Sequence, residues 1–354
     1  MIVSTEEIIF SLISLTIGIA YGIIAQREQF CFSGGIKDLI LFKHTRRTAS
    51  LIIAITTAIV FTQIFSYVYS VDLTQTRYYL NVNYLFIIIG GAMFGFGMMI
   101  SDGCSSRHLI KFAQGDMDSL HILISLGIFS FITYTMLGYF STDIYKNEII
   151  SLAQIQKSIE IPIYVMGIIL LFLLYKSLKK CRNIFQTWDG FLIGLLITAG
   201  WYLTTIIADN YFLTQSKQSL SFVYPLGKIV QYVLSGFTVN ILLFSVLAMI
   251  GVVIGAFISS KFNKKYSAKY MCDNSQQNPP KLFEKIVGGA FMGIGGILAI
   301  GCTVGQGLSG LSTLSFTSLL AIGSIYISAY ITALYMKKKN ALIACFVFDF
   351  EDKK

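Results

Sequence analysis

Gly90-Gly91-Ala92-Met93-Phe94-Gly95-Phe96-Gly97, running on to Gly103-Cys104-Ser105, is matched by Gly288-Gly289-Ala290-Phe291-Met292-Gly293-Ile294-Gly295, running on to Gly301-Cys302-Thr303. Every glycine of the first stretch has its counterpart 198 residues on, and so does the cysteine. Both stretches are apolar and long enough to enter a bilayer, so one structural unit has been used twice. Its period is far longer than that of any solenoid repeat.

The composition around the repeat fixes the solvent. The 354 residues are 55% apolar and 13% charged, with a mean hydropathy of +0.70, outside the balance of a water-soluble domain. Apolar segments that could cross a hydrocarbon layer about 30 Å thick lie at 8–25, 48–70, 84–101, 119–140, 161–177, 190–208, 231–258, 284–301 and 316–336. The fold class expected is an all-α polytopic membrane protein of about nine transmembrane helices plus short re-entrant helices. Between equivalent points of the two copies lie five crossings, so the second copy must run the opposite way. An inverted repeat follows, with residues 1–158 forming the first unit and 159–354 the second. Glycine-interrupted segments at matching places in two such units are a recurring transporter architecture. A fainter echo lays Tyr21-Gly22 through Phe30 over Ile193-Gly194 through Tyr202, with Cys31 falling opposite Leu203.

Charge agrees with this topology. If the N-terminus is outside and the C-terminus inside, every basic residue except Arg77, Lys146, Lys157, Lys217 and Lys228 lies in an inside segment. The net charge of +9 is then explained by loops beside anionic lipid, without nucleic acid. The first span carries no cleavage pattern and is expected to stay. Loops 141–160 and 209–228 read as outside connections, and 259–283 as an inside linker.

Six cysteines occur without a C-x-x-C pair or a zinc-type His/Cys spacing, so no disulfide framework, metal or cofactor is expected. Cys181 and Cys272 fall in inside loops, and Cys345 reads as a packing residue. The other three stand apart. Segments 30–45, 103–115 and 302–313 are too short or polar to span, yet each follows an apolar helix and opens on Cys31, Cys104 or Cys302. Ser33, Gly34, Gly103, Ser105, Gly301 and Thr303 surround the thiols. Glycine lets a ligand approach the backbone, and a hydroxyl residue suits a helix N-terminus, whose free N–H groups and dipole attract an anion. A thiol is a weak, soft donor matched to a sulfur atom. Arg107 is either a vestibule residue or one more inside charge, and Gln306 bonds either a substrate or a facing helix.

At Arg27 to Gly34 (R-x-x-F-C-x-x-G), Gly103 to Arg107 (G-C-x-S-R) and Gly301 to Gly310 (G-C-T-x-G-Q-G-L-S-G), the chain resembles the YeeE/YedE family of bacterial membrane proteins, the thiosulfate-permease group. The resemblance covers nearly the whole chain. It implies import of thiosulfate for sulfur assimilation across the bacterial inner membrane, past Cys31, Cys104 and Cys302 in series. A separate small sulfur-carrier protein of the TusA type is the implied cytoplasmic partner. Where the family commonly has Arg-Asp after its first motif, this chain has Lys37-Asp38, and the YedE branch keeps selenium or other sulfur species open as substrates. A membrane thiol-redox enzyme is the rival class; it would need paired cysteines near one surface, and the protein is expected not to be an enzyme.

Overall fold

The computed structural model describes residues 5–144, 154–157, 159–179, 187–207, 217–237, 243–266 and 281–342. Twelve α-helices are described: α1 (Thr5–Arg27), α2 (Phe32–Leu41), α3 (Arg46–Val68), α4 (Tyr84–Ile100), α5 (Ser105–Ala113), α6 (Met117–Ile144), α7 (Ile163–Leu178), α8 (Trp188–Tyr202), α9 (Val223–Leu234), α10 (Phe244–Phe262), α11 (Leu282–Leu298) and α12 (Phe316–Lys338). One antiparallel pair, β1 (Leu80–Asn83) with β2 (Gln154–Lys157), sets Leu80 opposite Lys157. The protein is an all-α polytopic membrane protein. Among the described residues seven helical stretches are long and apolar enough to cross a bilayer, while α7 and α11, at 16 and 17 residues, are shorter.

Glycine decides which helices touch. A β-carbon added to Gly90 of α4 would lie 2.8 Å from the carbonyl oxygen of Gly295 in α11, and one added to Gly288 would lie 2.8 Å from the carbonyl of Gly97. Gly97 and Gly295 return both contacts. Two antiparallel helices in which i meets j′ and j meets i′ have the contact pattern of a twofold axis between them. The other pairings show the same exchange. Gly22 of α1 abuts the carbonyl of Val252 in α10, while Gly194 of α8 lies against that of Ala54 in α3, and Ala54 and Val252 are 198 positions apart. Gly95 of α4 abuts Ile325 of α12, and Gly293 of α11 abuts Leu126 of α6. In lipid, where apolar burial no longer drives association, backbone approach at small residues is the main source of helix contact. Hydroxyls add to it: Ser328 Oγ donates to Ala92 O at 2.6 Å and Ser125 Oγ to Ile286 O at 2.9 Å.

Two expectations need correction. The segment 231–258 is not one span: α9 ends in a left-handed turn at Gly236 (φ +65°) and Phe237 (φ +67°), where the Phe237 N–H caps Tyr232 O, and α10 begins only at Phe244. Nor is 209–228 an exposed loop in its described part. Gln218, Ser219, Leu220, Ser221 and Phe222 are all buried, and α9 starts at Val223. Their polarity is absorbed by neighbouring helices, with Ser219 Oγ donating to Ile197 O at 2.7 Å and Ser309 Oγ to Leu220 O at 2.8 Å. Opposite Cys31, Leu203 does not break the chain; α8 runs on as a π-helix through Ile207. Cys181, Cys272 and Cys345 lie outside the described residues.

Candidate functional site

Three chain reversals of one design build the site. After α1, Gln29 takes a left-handed conformation (φ +53°) and Phe30 N–H donates to Ala25 O at 3.1 Å. After α4 the same place is held by Asp102 (φ +64°), with Gly103 N–H on Met98 O at 3.0 Å. After α11 it is Ile300 (φ +59°), with Gly301 N–H on Gly296 O at 2.8 Å. These are helix C-terminal locks of the Schellman type, here made without glycine at the left-handed residue. The cysteine follows two residues later every time, in the position where a Ser, Thr, Asp or Asn would cap the next helix. Cys31 Sγ accepts from Gly34 N–H at 3.3 Å, and Cys302 Sγ from Gly305 N–H, also at 3.3 Å. A hydroxyl sits beside two of the thiols, Ser33 Oγ 3.1 Å from Cys31 Sγ and Ser106 Oγ 3.2 Å from Cys104 Sγ.

The reversals converge. Cys31, Cys104, Ser106 and Thr303 line a constriction of only about 10 Å³, together with Phe30, Leu51 and Leu308. The Cys31 and Cys104 thiols lie within electrostatic reach of each other, and Thr303 lies close to Cys104. Cys302 does not line this cavity; it is fully buried behind Thr303. All three are free thiols. The Cys104 helix comes from the opposite end of the fold to the Cys302 helix, so two N-terminal dipole ends face the same small volume from both directions. The segment after Cys302 is held by its own set of bonds. Residues Gly305–Gly310 form a π-helix, whose displaced carbonyls take outside donors: Tyr78 Oη bonds Gly305 O at 2.8 Å.

Of the other residues marked by the sequence, Gly34 and Gly103 make room for arginines, since a β-carbon would lie 3.0 Å from Arg47 Nη1 and 3.2 Å from Arg107 Cγ respectively. Gly301 gives the same room to Gln306, whose Nε2 donates to Ala299 O at 2.5 Å. Gln306 therefore ties off α11 rather than lining the cavity. Ser105 is fully buried and also lies off the cavity. Arg107 lies within electrostatic reach of the Cys31 thiol and borders a second small cavity of about 10 Å³, shared with Gln26, Gln29, Lys111 and Gln114.

Sequence reading did not pick out Tyr21. Its fully buried hydroxyl bonds Ser106 and lies within electrostatic reach of all three thiols. The one signal was a polar group beside Gly22 inside the first span. Nor did the sequence reveal the ion cluster beneath the cavity. Asp102 bridges Lys37 and Lys111, the latter at 2.7 Å, with all three side chains no more than 6% exposed. Asp38 pairs with Arg47 at 3.1 Å. Counting Arg107, four cations meet two carboxylates, which leaves the region positive.

Comparison with known proteins identifies the family. The chain is 25% identical to the thiosulfate transporter TsuA of Escherichia coli (strain K12) over 329 residues, covering 84% of this chain and 87% of that protein. It is 22% identical to the thiosulfate transporter TsuA of Spirochaeta thermophila over 327 residues, covering 87% and 93%. A shorter match, 24% over 131 residues, is to the probable transporter YedE of Escherichia coli, covering 37% of this chain and 30% of that protein. The family model described as sulphur transport matches residues 27–331, and with three thiol-capped reversals meeting inside a helical membrane fold, the chain belongs to that family.

Proposed function

We propose that this protein imports thiosulfate for sulfur assimilation through the thiol-lined constriction, without chemical change to the substrate. The observation that carries this reading is the convergence of Cys31, Cys104 and Thr303, the neighbour of Cys302, on one small volume, each cysteine standing at the N-terminus of the segment that follows it. A dianion there meets N–H groups and dipole ends, with the buried Arg107 within electrostatic reach of Cys31. Thiosulfate and sulfate share charge and shape, and a terminal sulfur in soft contact with thiols is what tells them apart. The printed names of the two TsuA relatives support the substrate class.

The protein sits in the bacterial inner membrane with its N-terminus outside, as the placement of its basic residues favours. Nine spans, α1, α3, α4, α6, α7, α8, α10, α11 and α12, form two inverted units at 1–158 and 159–354, a reading supported by the reciprocal glycine contacts. The pathway residues are Cys31, Cys104 and Cys302 with Tyr21, Ser33, Ser106 and Thr303 beside them. Gly34, Gly103, Ser105, Gly301 and Gln306 shape the reversals, and Arg107 receives the anion on the inner side. A separate TusA-like carrier on that face takes the sulfur onward.

The test is uptake of radiolabelled thiosulfate by cells lacking other importers. Cys104→Ala and Cys302→Ala each abolish most uptake at unchanged membrane abundance, and the serine variants, which keep a donor but lose softness, recover part of it. Normal transport by both alanine variants would reduce the thiols to packing residues and end the proposal.

A further inference from the structure

At the end of the fold opposite the ion cluster lies a cavity of about 610 Å³, which reaches Ile300 and Gly301, directly before Cys302. Two donors on its wall are unspent. Arg77 Nε and Nη2 are buried atoms without a hydrogen-bond partner, and so is Nε2 of Gln218, a residue only 2% exposed. Unsatisfied buried donors are costly, and a fold retains them where a ligand supplies the acceptor.

Both side chains are held in place by bonds that leave these atoms alone. The backbone of Gln218 is clamped by Thr204, whose Oγ1 donates to Gln218 O at 2.6 Å and accepts Gln218 N–H at 3.3 Å. The Arg77 guanidinium lies over the Tyr78 ring at 5.4 Å and the Tyr224 ring at 5.9 Å, and Tyr78 is itself anchored to Gly305. Stacking uses the face of a guanidinium and leaves its N–H edge for an oxyanion. Lys228 adds charge, its Nζ 5.0 Å from the Tyr134 ring and 5.5 Å from the Tyr224 ring. No carboxylate lines the cavity among the described residues.

We infer that Arg77 and Gln218 form a capture site for a tetrahedral oxyanion in the entry vestibule. On the proposed reading, on which this inference rests, the anion is thiosulfate held by its sulfonate oxygens, one step before Cys302. Hard N–H donors read oxygens and charge, so this site gives affinity, while the thiols beyond it give selectivity.

The experiment uses the full-length protein in proteoliposomes. Arg77→Ala raises half-saturating thiosulfate by roughly 10- to 100-fold and Gln218→Ala by roughly 3- to 10-fold, with saturated rates within about twofold of wild type. Arg77→Lys, which keeps charge but loses the fork, falls between. Half-inhibition by sulfate rises by the same factor as the thiosulfate value, leaving their ratio unchanged, whereas a cysteine-to-serine variant changes the ratio. Unchanged half-saturation in Arg77→Ala, or a loss of rate alone, overturns the inference. If Arg77→Ala does not reach the membrane, Arg77→Lys and Gln218→Ala decide it by the same criterion. A wild type that moves no thiosulfate refutes the transport reading instead, and Arg77-dependent binding of sulfate to the purified protein then still supports the site.

Discussion

Replacing Gly90 by alanine puts a single methyl group into the α4–α11 crossing. That methyl would sit 2.6 Å from Leu298 Cβ, 2.7 Å from Ala299 N and 2.8 Å from Gly295 O. Ordinary contact begins near 3.4 Å, so relief requires a shift of roughly 0.6–0.8 Å. No rotamer change can supply it, because two of the three atoms are backbone and the third is a β-carbon. The helices must separate. Overpacking of this kind costs about 1–3 kcal/mol, against a gain of about 0.5–1 kcal/mol for removing a glycine from a helix interior. With three contacts below 3 Å the clash wins, leaving a net loss of about 1–2 kcal/mol. At about 2–4 °C per kcal/mol, the purified variant should melt roughly 2–8 °C below wild type. Uptake should fall as well, since Leu298 ends the helix from which the Cys302 reversal departs. Gly167 of α7 is the internal control: nothing lies within 4 Å of its added methyl, so Gly167→Ala keeps both melting and uptake. A Gly90→Ala protein that melts and transports like wild type would refute the claim that this crossing is set by backbone contact.

The ion cluster gives a second expectation. Asp102→Asn leaves Lys37 and Lys111 buried without their carboxylate, costs about 3–5 kcal/mol, and sharply lowers the folded yield. Removing one of the stranded charges in Asp102→Asn/Lys37→Met restores part of that yield, measured by size-exclusion profiles; a double variant no better than the single one would mean the cluster is not electrostatically coupled. Selectivity supplies a third. Excess unlabelled thiosulfate competes fully with labelled thiosulfate, sulfate competes weakly, and the margin narrows in serine variants that still transport; equal competition by sulfate in the wild type removes the reason for the thiols.

What the sequence disclosed and what it withheld divide along a physical line. The glycine run and the cysteines after it were legible because backbone contact and tight reversals demand particular residues at fixed spacing. The three short segments likewise announced themselves by being polar where the chain had just been apolar. By contrast, 218–222 looks like a surface loop by composition, because serine and glutamine carry no mark of being buried. Only the neighbouring helix positions they satisfy, at Ile197 and Thr204, reveal it. Asp102 was visible as an acid at a helix end, but its two lysines come from α2 and α5, and local pattern cannot pair residues 65 positions apart. Arg77 and Gln218 were hidden for the same reason.

The pairing of helices also bears on how such a protein can move. The most extensive packing joins α1 to α10, α3 to α8, α4 to α11 and α12, and α6 to α11 and α9. In each pair one helix comes from before residue 158 and the other from after it. The halves are interleaved, so neither possesses a core of its own. Rocking one half as a rigid body against the other, the usual form of alternating access in inverted-repeat transporters, would have to pull apart every one of these contacts at once. The glycine-to-carbonyl seams leave little slack for sliding. What lies between the seams is the irregular part of the fold: the ends of the short helices and the π-helical turn at Gly305–Gly310. On the transport proposed above, these seams favour passage by local rearrangement of a few side chains and one irregular turn over rigid-body rocking of one half against the other.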